Sequence, residues 1–303
     1  MTDIATVLVI TGAAGLATGL GAVPVFARAR VSHRTYDAGL GLAAGIMVGA
    51  SVFGLILPGM EDGGLATVMV GIALGGLALL VGNRMIPHVQ AAYLDWVAEG
   101  GATNADVVEM GLESAPADTA APADAPAPAE GFNPDDRADR DEQADRDDRA
   151  DRDGRLRRAV LVGGAITLHN GPEGLAMGVA FASGFEEVAL LLAVVIGLQN
   201  VPDGFAFAVP MGETGMSRGR VLLYTTLSGF VPQVVAATFG FYLVSLASGL
   251  FPIAAGFAAG AMLAVVFREM IPSSHGHGHA DAATTAFLLG FVLIVVVDEA
   301  LIV

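Results

Sequence analysis

The sequence predicts an all-α integral membrane protein, and three observations support this fold class. Of the 303 residues, 54% are hydrophobic and only 15% charged, a composition that a soluble domain could not bury. Eight apolar runs have about the 17 to 25 residues that a helix needs to cross a bilayer. The charges are concentrated, since 18 of the 31 acidic and 8 of the 15 basic residues lie between His88 and Arg158.

The apolar runs predict eight transmembrane helices in two parts of the chain. Residues 1–87 hold three runs and residues 159–303 hold five. Their approximate limits are Ile4–Phe26, Ala38–Pro58, Leu65–Ile86, Ala159–Gly184, Val188–Met211, Val221–Ser245, Phe251–Ile271 and Ala282–Leu301. The first run lacks a basic segment before it and is longer than a signal peptide needs, so we expect it to be retained.

Arginine placement predicts the orientation of these helices. The chain has no lysine, and arginines follow the first run, precede the fourth, separate the fifth from the sixth and close the seventh. Short loops rich in positive charge stay in the cytoplasm, so we expect both termini to be extracellular. The protein would be a multi-pass protein of the cell membrane.

Residues 88–158 combine an Ala/Pro/Asp tract with a near-repeat of Asp and Arg. We expect a disordered acidic cytoplasmic loop, interpreted as a solvated linker, with a metal-sensing or partner-binding loop as the alternative. The abundant Asp and absent Lys suggest a halophilic cell. A net charge of −16 argues against nucleic acid as a partner.

One internal repeat predicts inverted halves. GLAAGIM at Gly41–Met47, in the second run, recurs as GFAAGAM at Gly256–Met262, in the seventh. These two helices cross the membrane in opposite directions, as the inverted repeats of many secondary transporters do. Close packing of helices through the small residues is the simpler interpretation of the same repeat.

A second repeat places polar groups inside two predicted spans. HNGPEG at 169–174 recurs as QNVPDG at 199–204. In each copy the first and fifth positions share a helical face, with an amide beside them. These residues are His169 and Glu173 with Asn170, and Gln199 and Asp203 with Asn200. Polar groups at this depth are expensive and indicate a functional site, although His169 alone would be typical of helix packing.

The same motifs predict helices broken near the midplane of the bilayer. Pro172 and Pro202 cannot donate a helical hydrogen bond, and Gly174 and Gly204 allow another helix to approach. Broken helices at this depth are typical of transporter ion sites. The chain has no Cys, and one imidazole, two carboxylates and amides suit zinc, iron, manganese or cobalt. The two carboxylates would neutralise one divalent cation, and we expect them to be protonated when the site is empty.

Three further features of the sequence each have a structural and a metal-related interpretation. Met47 is either a core residue or a thioether ligand from the second helix. The HGHGH segment, with His275, His277 and His279, is either a mobile polar loop or a place that catches metal leaving the membrane. Glu269 either lines an exit path or pairs with Arg268.

At these motifs the sequence resembles the ZIP family of metal-ion transporters, in particular its prokaryotic GufA-like branch. The resemblance covers all eight runs and is strongest at HNGPEG, at QNVPDG, at AAGIMVGASVFGLILPGME in the second run, and at AAGAML with REMIP in the seventh. It implies a three-plus-two-plus-three arrangement of helices, a homodimer, and metal uptake by an elevator-like movement of one helix bundle against another.

The resemblance also implies residue roles. The primary metal site would be Met47, His169, Glu173, Gln199 and Asp203, with Asn170 and Asn200 contributing to a second, adjacent site. Glu61 matches an acidic position near the entrance, and Glu269 one near the exit. Two departures are evident: Asp203 replaces the Glu of relatives, and Pro232 stands where two-metal relatives place Glu. Because the sixth run has no carboxylate, we expect one bound ion rather than two.

The sequence therefore predicts a carrier that takes up divalent metal, zinc first, with cadmium, iron, manganese and cobalt as further substrates. It predicts no cofactor and no enzymatic activity. An intramembrane metalloenzyme, a metal sensor and a channel are the alternatives, since His and carboxylates can also activate water on zinc. The HExxH motif is absent, and a duplicated motif suits an ion path better than a one-sided catalytic site.

Overall fold

The computed structural model describes residues 2–27, 32–98, 169–213 and 216–302. Within these ranges all regular structure is helical. The helices are α1 (Ile4–Leu20), α2 (Val23–Ala27), α3 (His33–Ser51), α4 (Leu57–Ala98), α5 (169–183), α6 (Glu186–Glu213), α7 (Arg218–Leu246), α8 (Phe251–Val265), α9 (Ile271–Ser274) and α10 (Ala280–Ile302). The prediction of an all-α protein is confirmed for this part of the chain.

Six helical segments of the described chain are long and apolar enough to cross a membrane. One of them, His33–Arg84, is interrupted at Gly64, where φ is +78°, a left-handed value that favours glycine. This break lies between the second and third predicted runs. Most of the predicted loop, 99–158, lies outside the described residues, but its first part continues α4 to Ala98.

Polar caps explain why α3 begins before its apolar run. Ser32 accepts a hydrogen bond from the backbone N–H of Thr35 at 3.2 Å, which satisfies a donor that the first turn leaves unpaired. Asp3 caps α1 in the same way through the backbone N–H of Thr6. Hydrogen bonds from the Thr6 side chain and then from its backbone N–H lower the pKa of the Asp3 carboxyl. Hydropathy misses such residues because they are polar.

The described helices pack in two groups. In the first, α1 packs on α6 and α7, and Gly174 and Gly178 bring α5 against α7. In the second, α3 packs along α10 and α4 along α8. Contacts between α3 and α6 join the groups. The polar motifs at 169–174 and 199–204 both belong to the first group.

The first internal repeat packs through its glycines, as predicted. A Cβ on Gly45 of α3 would lie 2.0 Å from the Phe287 carbonyl oxygen of α10, and one on Gly260 of α8 would lie 2.1 Å from that of Ile72 of α4. Only hydrogen fits at these positions. The two copies of the repeat therefore make equivalent close contacts with different helices.

A π-helical turn follows each copy of this repeat. The turns are Val52–Ile56 and Val266–Met270, and a proline comes two residues after each, Pro58 and Pro272. The correspondence between the two copies thus extends beyond the seven residues that the sequence comparison found. The second turn carries Glu269, and π turns are frequent at functional sites.

We predict that Gly260→Ala lowers the free energy of unfolding by about 1 to 3 kcal/mol, because the added methyl group meets backbone and the helices must separate. Gly82→Ala is the matched control, since a Cβ there would have no neighbour within 4 Å and Ala should favour the helix by up to about 1 kcal/mol. Thermal unfolding in detergent measures both. Equal melting temperatures for the two variants would contradict the close contact.

Candidate metal site

The second repeat brings its six polar residues into the interior of the helix bundle. His169, Asn170 and Glu173 lie on α5, and Gln199, Asn200 and Asp203 lie on α6; all six are buried. Glu173 and Gln199 expose none of their surface. Gly174 and Gly204 allow close approach, as predicted, to Gln233 of α7 and Thr18 of α1 respectively.

Helix α6 is not broken at this site, contrary to the prediction from Pro202. For Pro172, the preceding part of the chain lies outside the described residues. Helix α6 continues through both Pro202 and Pro210 to Glu213. A proline in a helix removes one hydrogen bond, but here close packing on α1 and α7 maintains the helical path. The site is therefore formed by side chains on continuous helical surfaces.

One hydrogen bond joins the two motifs directly. Gln199 Nε2 donates to Glu173 Oε1 at 2.6 Å. This fixes the carboxamide of Gln199 with its nitrogen toward the carboxylate and leaves Gln199 Oε1 and Glu173 Oε2 buried without a hydrogen-bond partner. Both of these oxygens are acceptors when Glu173 is ionised.

The neighbouring amide, Asn200, is fixed by two other helices. Its Nδ2 donates to the backbone oxygen of Ala14 on α1 and to Oε1 of Gln233 on α7, both at 2.8 Å. Its own Oδ1 is buried and has no hydrogen-bond partner. Helices α1 and α7 therefore take part in the site through acceptors that the sequence analysis did not identify.

His169 bonds to a carboxylate that lies outside the two motifs. Its Nε2 bonds to Oε2 of Glu269 in the second π turn, and Asn83 of α4 donates to Oε1 of the same carboxylate. Glu269, predicted either near the exit or in a pair with Arg268, thus links the first helix group to the second. No three His, Asp or Glu side chains converge closely enough to hold a metal ion within the described ranges.

Met47 and Asp203 are buried, but in different surroundings. Met47 belongs to the main hydrophobic core cluster, together with Met177 and Met262. Asp203 lies one helical turn after Gln199 on α6 and exposes 7% of its surface. The packing interpretation of Met47 agrees with its position, and its role as a ligand stays a prediction.

Two rings of the HGHGH segment make contacts outside the two polar motifs. Nδ1 of His275 is 2.9 Å from the carbonyl oxygen of Ile271, and Nδ1 of His277 is 2.8 Å from Oδ1 of the buried Asp37. The His277 ring also stacks on His33. His279 and Glu61 are exposed.

The sequence analysis missed Asn83 and Gln233 as site residues. Both are polar residues inside predicted apolar runs, which is the signal that identified His169. Amides are weaker signals than charges in hydropathy, so neither interrupted its run. Their partners, Glu269 and Asn200, are distant in sequence.

A bundle of long apolar helices that encloses a carboxylate, an imidazole and several carboxamides is a polytopic membrane protein with a polar site suited to a cation. The chain belongs to the ZIP zinc transporter family, whose profile matches residues 4–298. The resemblance found in the sequence motifs is thereby confirmed.

Three relatives illustrate the similarity. Zinc transporter GufA of Myxococcus xanthus is 34% identical, covering 97% of this chain and 98% of the relative. Zinc transporter ZIPB of Bordetella bronchiseptica is 33% identical over 97% of this chain and 81% of its own length. Human zinc transporter ZIP11 is 33% identical over 94% of each. All three are named as transporters, not enzymes.

The contact between His169 and Glu269 can be tested in the natural background, because the chain has no Cys. We predict that a short bis-maleimide links the pair His169→Cys and Glu269→Cys within one chain. The control pairs His169→Cys with Glu61→Cys, which lies beyond the break at Gly64; the helix from Leu65 to Asn83 alone spans about 27 Å. Intact-protein mass distinguishes one bridging linker from two single adducts. Two single adducts on the His169/Glu269 pair would contradict the contact.

Proposed function

We propose that this protein carries a divalent cation, zinc first, across the membrane into the cytoplasm through the polar site on α5 and α6. The observation that supports this most directly is a set of buried oxygens without a hydrogen-bond donor: Glu173 Oε2, Gln199 Oε1 and Asn200 Oδ1. These are oxygen acceptors from one carboxylate and two carboxamides.

Such oxygens are costly in a folded protein. A buried acceptor without a partner costs about 1 to 3 kcal/mol, and more when it is charged. Both amide hydrogens of Asn200 are used, by Ala14 and Gln233, and one of those of Gln199 is used by Glu173. A cation recovers this cost because oxygen atoms replace its hydration shell.

The proposed ligands extend beyond these oxygens. Glu173 and Asp203 supply two negative charges, and His169 supplies a nitrogen once it leaves Glu269. Asn170 lies beside them, and Met47 would contribute a thioether from α3. This mixed set suits zinc and the other borderline divalent ions, so cadmium, iron, manganese and cobalt are further candidate substrates.

Transport requires the site to face each side of the membrane in turn. The site residues lie in the helix group of α1, α5, α6 and α7, whereas Glu269 and Asn83 lie in the group of α8 and α4. We propose that the first group moves against the second like an elevator. The chain would cross the membrane eight times, with its helices arranged three plus two plus three. The relatives are named zinc transporters, which supports transport of a divalent metal.

The remaining assignments follow from the same proposal. The protein would be a homodimer in the cell membrane, surrounded by lipid, with both termini extracellular and without a cofactor or nucleic-acid partner. Glu61 would lie near the entrance and Glu269 near the exit. His275, His277 and His279 would receive metal after release, although the first two now bond to other groups.

Uptake into proteoliposomes tests this function. We predict saturable zinc accumulation that Glu173→Gln lowers by more than about tenfold, because a buried charged ligand is lost. Glu187→Gln is the matched control, an exposed acid at the start of α6, and should leave uptake unchanged. Zinc binding without uptake by the unmodified protein would favour a sensor, and single-channel currents would favour a channel.

The charges of the site predict one ion per chain. Helix α7, the side of the site that Gln233 occupies, has no carboxylate, so a second divalent ion would bring about two uncompensated charges into a low-dielectric region. Equilibrium binding of zinc to the purified protein, with the bound metal counted by mass spectrometry, should give about one tightly bound zinc ion per chain. Two tightly bound zinc ions per chain, both lost in the Glu173→Gln variant, would contradict this prediction.

A further inference from the structure

Gln233 of α7 is fully buried beside Pro232 in an otherwise apolar stretch. Its Oε1 accepts a hydrogen bond from Nδ2 of Asn200 at 2.8 Å. Its Nε2 lies 3.9 Å from the sulfur of Met177, a weak acceptor. Burial of an amide here calls for an explanation, because a polar side chain inside a membrane helix is energetically unfavourable.

The partners of Asn200 determine which way its carboxamide faces. The backbone oxygen of Ala14 can only accept, so Asn200 must present its NH₂ group there rather than its oxygen. The second amide hydrogen then goes to Gln233, whose oxygen accepts it. Both hydrogens are committed, and Asn200 Oδ1 remains as a buried acceptor without a donor.

Close backbone contacts hold Gln233 in this position. A Cβ on Gly174 of α5 would lie 2.1 Å from the Gln233 carbonyl oxygen, and one on Gly15 of α1 would lie 2.8 Å from Cα of Phe230. Helix α7 therefore touches α5 and α1 directly at the level of the site. The side chain of Gln233 therefore reaches Asn200 and forms its hydrogen bond without any movement of the helices.

We propose that Gln233 is a positioning residue of the cation site, which holds the Asn200 carboxamide so that Oδ1 is available to the cation. This inference rests on the proposed transport function. It assigns α7 a role in affinity although that helix supplies no charge. Without the acceptor at 233, the Asn200 carboxamide keeps only its hydrogen bond to Ala14, so Oδ1 is no longer fixed from two sides.

The test compares KM and kcat for zinc uptake, with zinc binding measured on the same purified proteins. Gln233→Met keeps the length of the side chain but removes the acceptor, and should raise KM by about tenfold with kcat within about twofold. Gln233→Glu keeps an acceptor oxygen, and its KM should stay at the level of the unmodified protein or below it.

A double-mutant cycle with Asn200→Ala separates positioning from packing. If Gln233 acts through Asn200, Gln233→Met should change KM little in the Asn200→Ala background, since the oriented oxygen is already absent. Effects on KM that multiply would overturn the proposal. An unchanged KM for Gln233→Met alone, or a raised KM for Gln233→Glu equal to that of Gln233→Met, would overturn it as well.

Further controls distinguish a loss of folding from a loss of function. Gln233→Leu replaces Gln233→Met if the latter is not monodisperse in detergent, and if neither folds, the residue is structural and the proposal fails. If the unmodified protein neither binds nor takes up zinc, the transport function fails and the proposal with it. If Glu173→Gln abolishes uptake while Gln233→Met behaves as the unmodified protein, only the proposal for Gln233 fails.

Discussion

The burial of hydrogen-bonding groups among apolar helices is the constraint on which this structure depends. On α6, Gln199 donates to Glu173 of α5, and Asn200 donates to Ala14 of α1 and Gln233 of α7. Such bonds cannot be exchanged for bonds to water inside a bilayer, so they require exact helix positions. Glycines provide those positions, because only hydrogen fits between Gly174 and the carbonyl of Gln233. The oxygens left without donors are then the chemical basis of the proposed cation site.

The two internal repeats serve different purposes in this arrangement. The copies of GLAAGIM and GFAAGAM build the group of α3, α4, α8 and α10 through close helix contacts and continue into π turns. The copies of HNGPEG and QNVPDG supply polar side chains to the other group. Glu269, in the second π turn, connects them through His169. The proposed carrier needs two helix groups joined by such a contact, because the polar side chains must exchange contacts while the helices themselves stay folded.

Hydropathy and short-range spacing predicted much of this molecule correctly. The runs Val188–Met211 and Val221–Ser245 fall within α6 and α7, and the glycine pairs pack as expected. The polar motifs were identified from the cost of placing charge in a membrane. The predicted break at Pro202 was wrong, because proline removes one bond but packing on α1 and α7 retains the helix. For the HGHGH segment the sequence left two interpretations open, and only the folded chain shows that two of its rings bond to Asp37 and Ile271.

The sequence by itself determined the class of protein, the family and the residues that could bind a cation, because these depend on composition and on spacings of four residues within one helix. The tertiary structure alone decided their partners. His169 meets Glu269, 100 residues away, and Asn200 meets Gln233, 33 residues away. No periodicity within a helix encodes such pairs. The direction of a carboxamide is set by acceptors on other helices, so which oxygens remain for a cation is known only when those helices are packed together.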